Sequence, residues 1–250
     1  MTSPTAYYSD DQVTLYHGDM RELLPALGLQ ADLVCTDPPY GETSLAWDRW
    51  PDGWPALAAS VASSMWCFGS MRMFLDRRGD FDGWKLSQDI VWEKHNGSGF
   101  ATDRFKRVHE IATHWYRGSW TAIAHDVPRV AAQHGNKGKV IARAVRTPHT
   151  GDVGQSTYID DGQRLMRSVL AVPSMHGRAQ HPTEKPLGIL DPLIRYACPP
   201  GGLVVDPFVG SGSTLDAARQ SGRRAIGIEA NEAYCEAAAR RLSNLVLEAS

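Results

Sequence analysis

At 250 residues, of which 42% are hydrophobic, the chain can bury one substantial core and carry a small appended lobe. No apolar run approaches the length of a membrane span, and the N-terminus lacks a basic-then-apolar leader, so a cytoplasmic protein with no membrane partner is expected. The formal net charge of −2 points to no polyanionic partner, and four scattered cysteines without a CxxC pair argue against zinc and against a disulfide framework.

Val13–Tyr16 reads as a short strand closed by His17-Gly18-Asp19. Met20–Leu27 has apolar residues at helical spacing and stops at Gly28. Asp32–Thr36 is an apolar strand that runs straight into Asp37-Pro38-Pro39-Tyr40. Trp54–Ser63 is Ala-rich and helical, Met65–Phe68 and Asp89–Trp92 read as strands, and a helix around Met71–Arg77 lies between them. Strand alternating with helix predicts βαβ units and a mostly parallel sheet. From Ser119 to Met175 that rhythm is lost, and a stretch of this length without clear elements predicts a functional insertion. Pro186 then opens a helix to about Ala197, followed by a strand at Leu203–Val205, a helix at Ser213–Gln220, a strand at Ala225–Ile228 and a closing helix at Glu232–Leu245. The expected organisation is one α/β domain built from residues 1–118 and 176–250, with 119–175 inserted.

The charge is unevenly spread. Residues 104–146 hold nine Lys/Arg (Arg104, Lys106, Arg107, Arg117, Arg129, Lys137, Lys139, Arg143, Arg146) against Glu110 and Asp126, a local +7 that leaves −9 for the remainder. An acidic body with one basic segment is the footprint of a protein that meets a polyanion through one region; a solvated basic loop gives the same count. His109-Glu-Ile-Ala-Thr-His114 carries histidines five apart, which misses the four-residue spacing that puts two zinc ligands on one helix face. No metal is expected. Of Trp47, Trp50 and Trp54, packing against the core is the favoured role, with Trp47 the candidate for a site rim.

Two segments carry the chemistry. Asp37-Pro38-Pro39-Tyr40 follows a strand, and the carboxyl ends of strands are where ligands bind in open α/β sheets. Two prolines make a stiff turn that presents a carboxylate, a carbonyl and an aromatic face in fixed relation, the set that an exocyclic amine and its base require. The second segment, Asp206-Pro-Phe-Val-Gly-Ser-Gly-Ser-Thr214, again joins a strand to a helix, where Gly210 and Gly212 permit a close backbone approach. Glu229, at the end of the next strand and followed by Asn231, is placed to bind ribose hydroxyls, so the pair fits any adenosine-bearing cofactor. A P-loop is excluded, because no Lys-Ser/Thr pair follows the glycines.

Asp37–Tyr40, then His181-Pro-Thr-Glu-Lys-Pro186, then Asp206–Thr214, in that order, resembles the β-class amino-methylating DNA methyltransferases. Ile90-Val-Trp-Glu-Lys94, His109-Glu110 and Gly18-Asp19 are weaker echoes, and the likeness spans nearly the whole chain except 119–175. The resemblance implies a Rossmann-like α/β sheet with helices on both faces, S-adenosylmethionine as cofactor, double-stranded DNA as partner and 119–175 as a target-recognition lobe. It leaves a companion restriction endonuclease open. It implies that Asp37 and the Pro38 carbonyl hold the target amine while Tyr40 stacks on the flipped base. Asp37, Asp206, Phe208, Gly210, Gly212, Ser213 and Asn231 would line the cofactor pocket, with Thr183 and Lys185 near the methionine carboxylate, Glu229 on the ribose and Asp19 at the adenine edge. Ser213 stands where the family more often has Thr, and either residue is expected to cap the following helix. DNA contacts are expected from Arg104, Lys106, Arg107, Lys137, Lys139, Arg143 and Arg146. The family's use of Asp at the first motif position for adenine and Ser for cytosine favours N6-adenine. N4-cytosine is the alternative, and a catalytically silent DNA-binding protein, or an enzyme acting on RNA or a protein amide, are the others.

Overall fold

Short strands whose residues alternate between two cores set the architecture. In chain order the elements are β1 (Tyr8–Ser9), β2 (Val13–His17), α1 (Met20–Leu27), β3 (Leu33–Thr36), α2 (Trp54–Val61), β4 (Ser64–Gly69), α3 (Met71–Asp76), β5 (Lys85–Ser98) and β6 (Arg107–Tyr116). Six short strands follow: β7 (Arg129–Ala131), β8 (Val140–Ala142), β9 (Arg146–Thr147), β10 (Gly151–Asp152), β11 (Thr157–Ile159) and β12 (Gln163–Leu165). The chain closes with β13 (Val169–Ala171), α4 (Leu187–Ala197), β14 (Leu203–Asp206), α5 (Ser213–Gln220), β15 (Arg224–Glu229) and α6 (Glu232–Ala249). This computed structural model describes residues 4–98, 102–132, 137–142, 146–147, 151–152, 157–174 and 184–249.

Nine strands form one sheet in the order β1-β2-β15-β14-β3-β4-β6-β5-β13. Strands β2, β15, β14, β3 and β4 run parallel, as the βαβ pattern predicts. Successive side chains point to opposite faces, so Leu33 and Cys35 join one core while Val34 joins the other, and Val204 and Val205 divide the same way. The first core takes Ile189, Leu193 and Ile194 of α4, Leu215 of α5 and Leu242 of α6. The second takes Leu24 of α1, Trp54 and Val61 of α2 and Met73 of α3. Helices therefore cover both faces, and the Rossmann-like expectation holds.

Several elements differ from the sequence reading. The strand read at Asp89–Trp92 is the centre of β5, which pairs antiparallel with β6, a strand the periodicity did not reveal. The segment with His109 and His114 is thus extended. His109 is exposed and His114 is buried between the Ser64 and Ser87 hydroxyls, at 2.9 and 2.6 Å. Burial pushes the His114 pKa down to about 4, so it stays neutral in its pocket. Pro186 does not lie in the first helical turn; its extended backbone makes it the N-cap residue of α4.

The chain divides into two compact units, Met1–Asp126 with Ser168–Ser250, and Val127–Arg167. The second is shorter at both ends than the 119–175 segment singled out above. Trp120 packs edge-on against Tyr116 with ring centres 5.0 Å apart, and β13 extends the large sheet beside β5. Within the second unit the pairs β7–β12, β8–β11 and β9–β10 are antiparallel and nested, as in a hairpin arm. Asp160, 1% exposed, anchors it by accepting from the Gly162 amide at 2.8 Å and from both Arg164 guanidinium nitrogens.

Candidate active site

β3 and β14 lie side by side, with Val204 opposite Leu33 and Val205 opposite Val34, so their carboxyl ends emerge together. The Thr36 hydroxyl donates to Asp206 Oδ1 at 2.8 Å across 170 residues of sequence. This neighbourhood opens a cavity of about 410 Å³, within the range of small-molecule sites. From the β3 turn it is lined by Asp37 and Pro39, from β14 and its loop by Asp206, Phe208 and Gly210, and from the end of β15 by Glu229 and Asn231. Asp19, Lys185 and Ser213 complete the expected residues found there. Pro38 is buried behind the turn, and Thr183 and Arg143 lie outside the described residues.

Each carboxylate has a distinct setting. Asp37 accepts the Tyr40 hydroxyl at 2.5 Å on Oδ1 and pairs through Oδ2 with the Lys185 ammonium. Burial, and then the Asp37 charge beside it, push the Tyr40 hydroxyl well above its usual pKa, so it remains a donor. Glu229 accepts the Gly210 amide and the Asn231 amide, both at 2.8 Å, which fixes the glycine loop against the strand end. Burial raises its pKa against those donors. Asp19 caps α1 by accepting the Arg21 amide at 2.8 Å and forms a salt bridge with the Arg21 guanidinium. Asn231 likewise accepts the Ala233 amide at 2.9 Å at the start of α6.

One expectation needs correction. Gly212 has φ +81° and is itself the N-cap residue of α5, with no side-chain cap, so Ser213 lies inside the helix. The Ser213 hydroxyl instead bonds that of Ser211 at 2.7 Å. Gly212 stands outside the cavity lining, and a Cβ there would meet the Ala238 Cβ at 3.2 Å. Close packing of α5 on α6, together with the left-handed backbone, demands this glycine. The basic residues of 104–146 fall in both units. Arg104, Lys106 and Arg107 are exposed in the first unit, and Lys137, Lys139 and Arg146 belong to the second. Arg117 donates to the Ala59 carbonyl at 2.5 Å and its guanidinium lies over the Trp84 ring.

The sequence reading gave no role to Asp48, Lys94 or Glu110. Asp48 is 3% exposed and accepts the amides of Gly41, Glu42 and Thr43 at 2.7, 3.0 and 2.7 Å, tying down the loop that follows Tyr40. That loop brings Trp47 and Arg49 to the cavity, whereas Trp54 is fully buried in the core. Glu110 lies 3.4 Å from the Lys185 ammonium and is paired with Lys94. The local signal was slight: Glu110 stands just before Ile111-Ala112 inside β6 and Lys94 lies inside β5, and such charges are costly to bury unless paired.

Asp206 allows a direct test. Burial pushes its pKa up to about 6 from an ordinary 3.8, outweighing the donors Phe208 N–H, Thr36 and Thr214. A folded pKa above the unfolded value means the folded state prefers the protonated acid. Its contribution to stability is complete below about 3.8 and is lost as pH rises through about 6. Asp206→Asn, which keeps an acceptor for Thr36 and Phe208 but cannot ionise, should therefore stabilise the fold by about 1–3 kcal/mol at pH 8 and by about half as much at pH 5. Urea denaturation at both pH values checks this, and a variant less stable than wild type at pH 8 would refute it.

Fold and cavity together define a doubly wound α/β protein with a ligand site at the carboxyl ends of its strands. The family described as DNA methylase (N6_N4_Mtase) matches residues 31–240, and the chain belongs to it. It is 28% identical to the type II methyltransferase M.ScaI of Streptomyces caespitosus over 94% of this chain and 83% of that protein. Among solved structures it resembles the M1.HpyAVI–SAM complex, with TM-score 0.63 and 24% identity over 92% of this chain and 99% of the other. It also resembles the PvuII DNA methyltransferase (cytosine-N4-specific), with TM-score 0.66 and 18% identity over 96% and 90%.

Proposed function

We propose that this DNA methyltransferase transfers a methyl group from S-adenosylmethionine to the exocyclic N6 amine of adenine in double-stranded DNA. The observation that carries the reading is Asp37, a carboxylate at the end of β3, facing the same cavity as Asp206, Phe208 and Glu229. The donor set of that cavity fits the cofactor. Glu229 suits vicinal ribose hydroxyls, Phe208 offers an apolar ring to adenine, Asn231 and Asp19 offer polar edges, and Asp206 offsets a sulfonium charge. Gly210, with φ +52°, turns the loop without a side chain in the way. Thr183 and Lys185 are assigned to the amino-acid end.

When bound, the cofactor supplies an electrophilic methyl group carried on a sulfonium. The chain's own residues deal with the amine. An aromatic amine is a poor nucleophile because its lone pair is delocalised into the ring. Hydrogen bonds to Asp37 and the Pro38 carbonyl draw that lone pair out of conjugation and offset the positive charge that develops on nitrogen. Tyr40 supports the base, which must leave the duplex because its amine is hidden there. The second unit is the proposed target-recognition element. It holds seven Lys/Arg against three Asp, net +4, in an arm whose Val140, Tyr158 and Ile159 are exposed.

The test is chemical. The purified protein, labelled S-adenosylmethionine and duplex DNA are incubated in chelator, and the nucleosides are separated by mass. N6-methyladenine is the expected product. N4-methylcytosine would overturn the choice of base, and cofactor binding without transfer to any DNA would favour a silent DNA-binding protein.

A further inference from the structure

Glu110 reaches the site from a strand that the catalytic turn does not touch in sequence. β6 runs antiparallel between β4 and β5, and Ile111 stands opposite Gly69 at the carboxyl end of β4. β4 in turn pairs with β3, with Cys67 opposite Thr36. Residue 110 therefore emerges at the same edge of the sheet as Asp37. Lys185, arriving just before α4, places its ammonium between the two carboxylates, paired with Asp37 Oδ2 and 3.4 Å from Glu110 Oε2. Lys94 of β5 pairs with the other oxygen of Glu110 and lies over the Trp92 ring. The charges alternate along one line: Lys94, Glu110, Lys185, Asp37.

We propose that Glu110 is a positioning residue for methyl transfer, sharing the Lys185 ammonium with Asp37 so that the Asp37 carboxylate stays available to the incoming amine. This rests on the reading of Asp37 as the acceptor of that amine. The ammonium and the amine are competing donors for one carboxylate. Lys185 has only 8% of its side chain exposed, so water does little to dilute its charge, and the contest is settled by the carboxylates around it. With Glu110 present, the pull of the ammonium is divided between two anions and the line of four groups is neutral. Without that charge, Lys185 bears on Asp37 alone among these carboxylates, and a net positive charge faces a nitrogen that is becoming positive.

Among the described residues, the groups facing Lys185 include Asp37 from the β3 turn, the Phe68 ring from β4 and Glu110 from β6 with Lys94 behind it; Asp37 in turn holds the Tyr40 hydroxyl and neighbours Asp206 of β14. Burial works against the ammonium, and the two carboxylates more than offset it, raising its pKa. Glu110 shows the converse: burial raises its pKa, and Lys185 and then Lys94 bring it below the usual range.

The experiment uses the full chain with the isosteric Glu110→Gln and the shorter Glu110→Asp. Lysine Cε NMR, with the Lys185 signal assigned by its loss in Lys185→Met, should show the ammonium losing its proton at lower pH in Glu110→Gln than in wild type. Turnover at saturating substrates should fall by roughly tenfold to a hundredfold in Glu110→Gln, with cofactor Kd and DNA KM within about threefold. Glu110→Asp should recover most of that loss. An unmoved Lys185 titration overturns charge sharing whether or not the protein methylates DNA. A moved titration with unchanged turnover overturns the positioning role. A parallel loss of turnover, cofactor binding and melting temperature in both variants identifies a structural residue and overturns it as well. Absence of methyl transfer in wild type would fault the proposed function, while the NMR result still decides the charge sharing.

Discussion

Asp37→Ala is expected to lower methyl transfer by about a thousandfold or more while S-adenosylmethionine binds with nearly its normal affinity. The carboxylate touches the amine, whose charge grows only on the way to the transition state, so the hydrogen bond that alanine removes is stronger there than in the ground state. The surroundings sharpen the effect. In wild type Asp37 holds both the Tyr40 hydroxyl and the Lys185 ammonium; alanine releases Tyr40 from its 2.5 Å bond and, of the two carboxylates beside the buried lysine, leaves Glu110. Asp37→Asn separates charge from shape, because it keeps an acceptor of the same size. It should retain folding and lose most of the rate. Single-turnover transfer from labelled cofactor, calorimetric binding and a melting curve on both variants make the measurement. Turnover within about tenfold of wild type in Asp37→Ala would remove Asp37 from the chemistry.

How much of this was legible in the sequence depended on whether local residues carried the signal. The parallel half of the sheet was readable because its strands are short, apolar and punctuated: Leu33–Thr36 runs through Asp37 into two prolines, and Leu203–Asp206 meets a proline. The convergence of Asp37 and Asp206 was readable too, because both follow strands whose carboxyl ends must share one edge of a parallel sheet. β6 was not. Its first half, Arg107–Glu110, is polar and largely exposed, and its second half is buried, so no single period runs through it. The arm at Val127–Arg167 was illegible for a related reason. Its strands are two or three residues long, the described ones are mostly exposed, and pairing rather than a buried face defines them. A reading based on hydrophobic alternation has nothing to count there.

The glycines show the same division. Gly210 and Gly212 look alike in sequence, yet one opens a loop beside Glu229 and the other lets α5 and α6 approach. Only the packing of two helices separated in the chain by a whole strand could tell them apart. The Lys94–Glu110–Lys185 line is likewise a product of topology, since its members come from β5, β6 and the segment before α4.

The largest effect outside the chemistry is expected from salt. If the arm contacts phosphates, affinity for duplex DNA should fall on the order of a hundredfold between about 50 and 200 mM salt, the loss for about four neutralised phosphates. Lys137 and Lys139 are the residues to change. Both are exposed and flank Gly138, whose φ of +83° turns the chain, and the Gly138 amide donates to the Asp160 carbonyl at 2.8 Å. The lysines are thus carried on an anchored turn rather than a free loop. Changing both to glutamine removes two charges without touching the Asp160–Arg164 pair that holds the turn. The salt slope should flatten by about one unit for each phosphate that is no longer neutralised. The change should be the same on target and non-target duplexes, because phosphate contacts position a protein without reading sequence. Arg104, Lys106 and Arg107, exposed in the other unit, provide the comparison: if the slope follows them and ignores Lys137 and Lys139, the DNA backbone lies along the first unit and the arm is not its phosphate clamp. A slope unchanged by either set would mean that neither basic cluster neutralises phosphates.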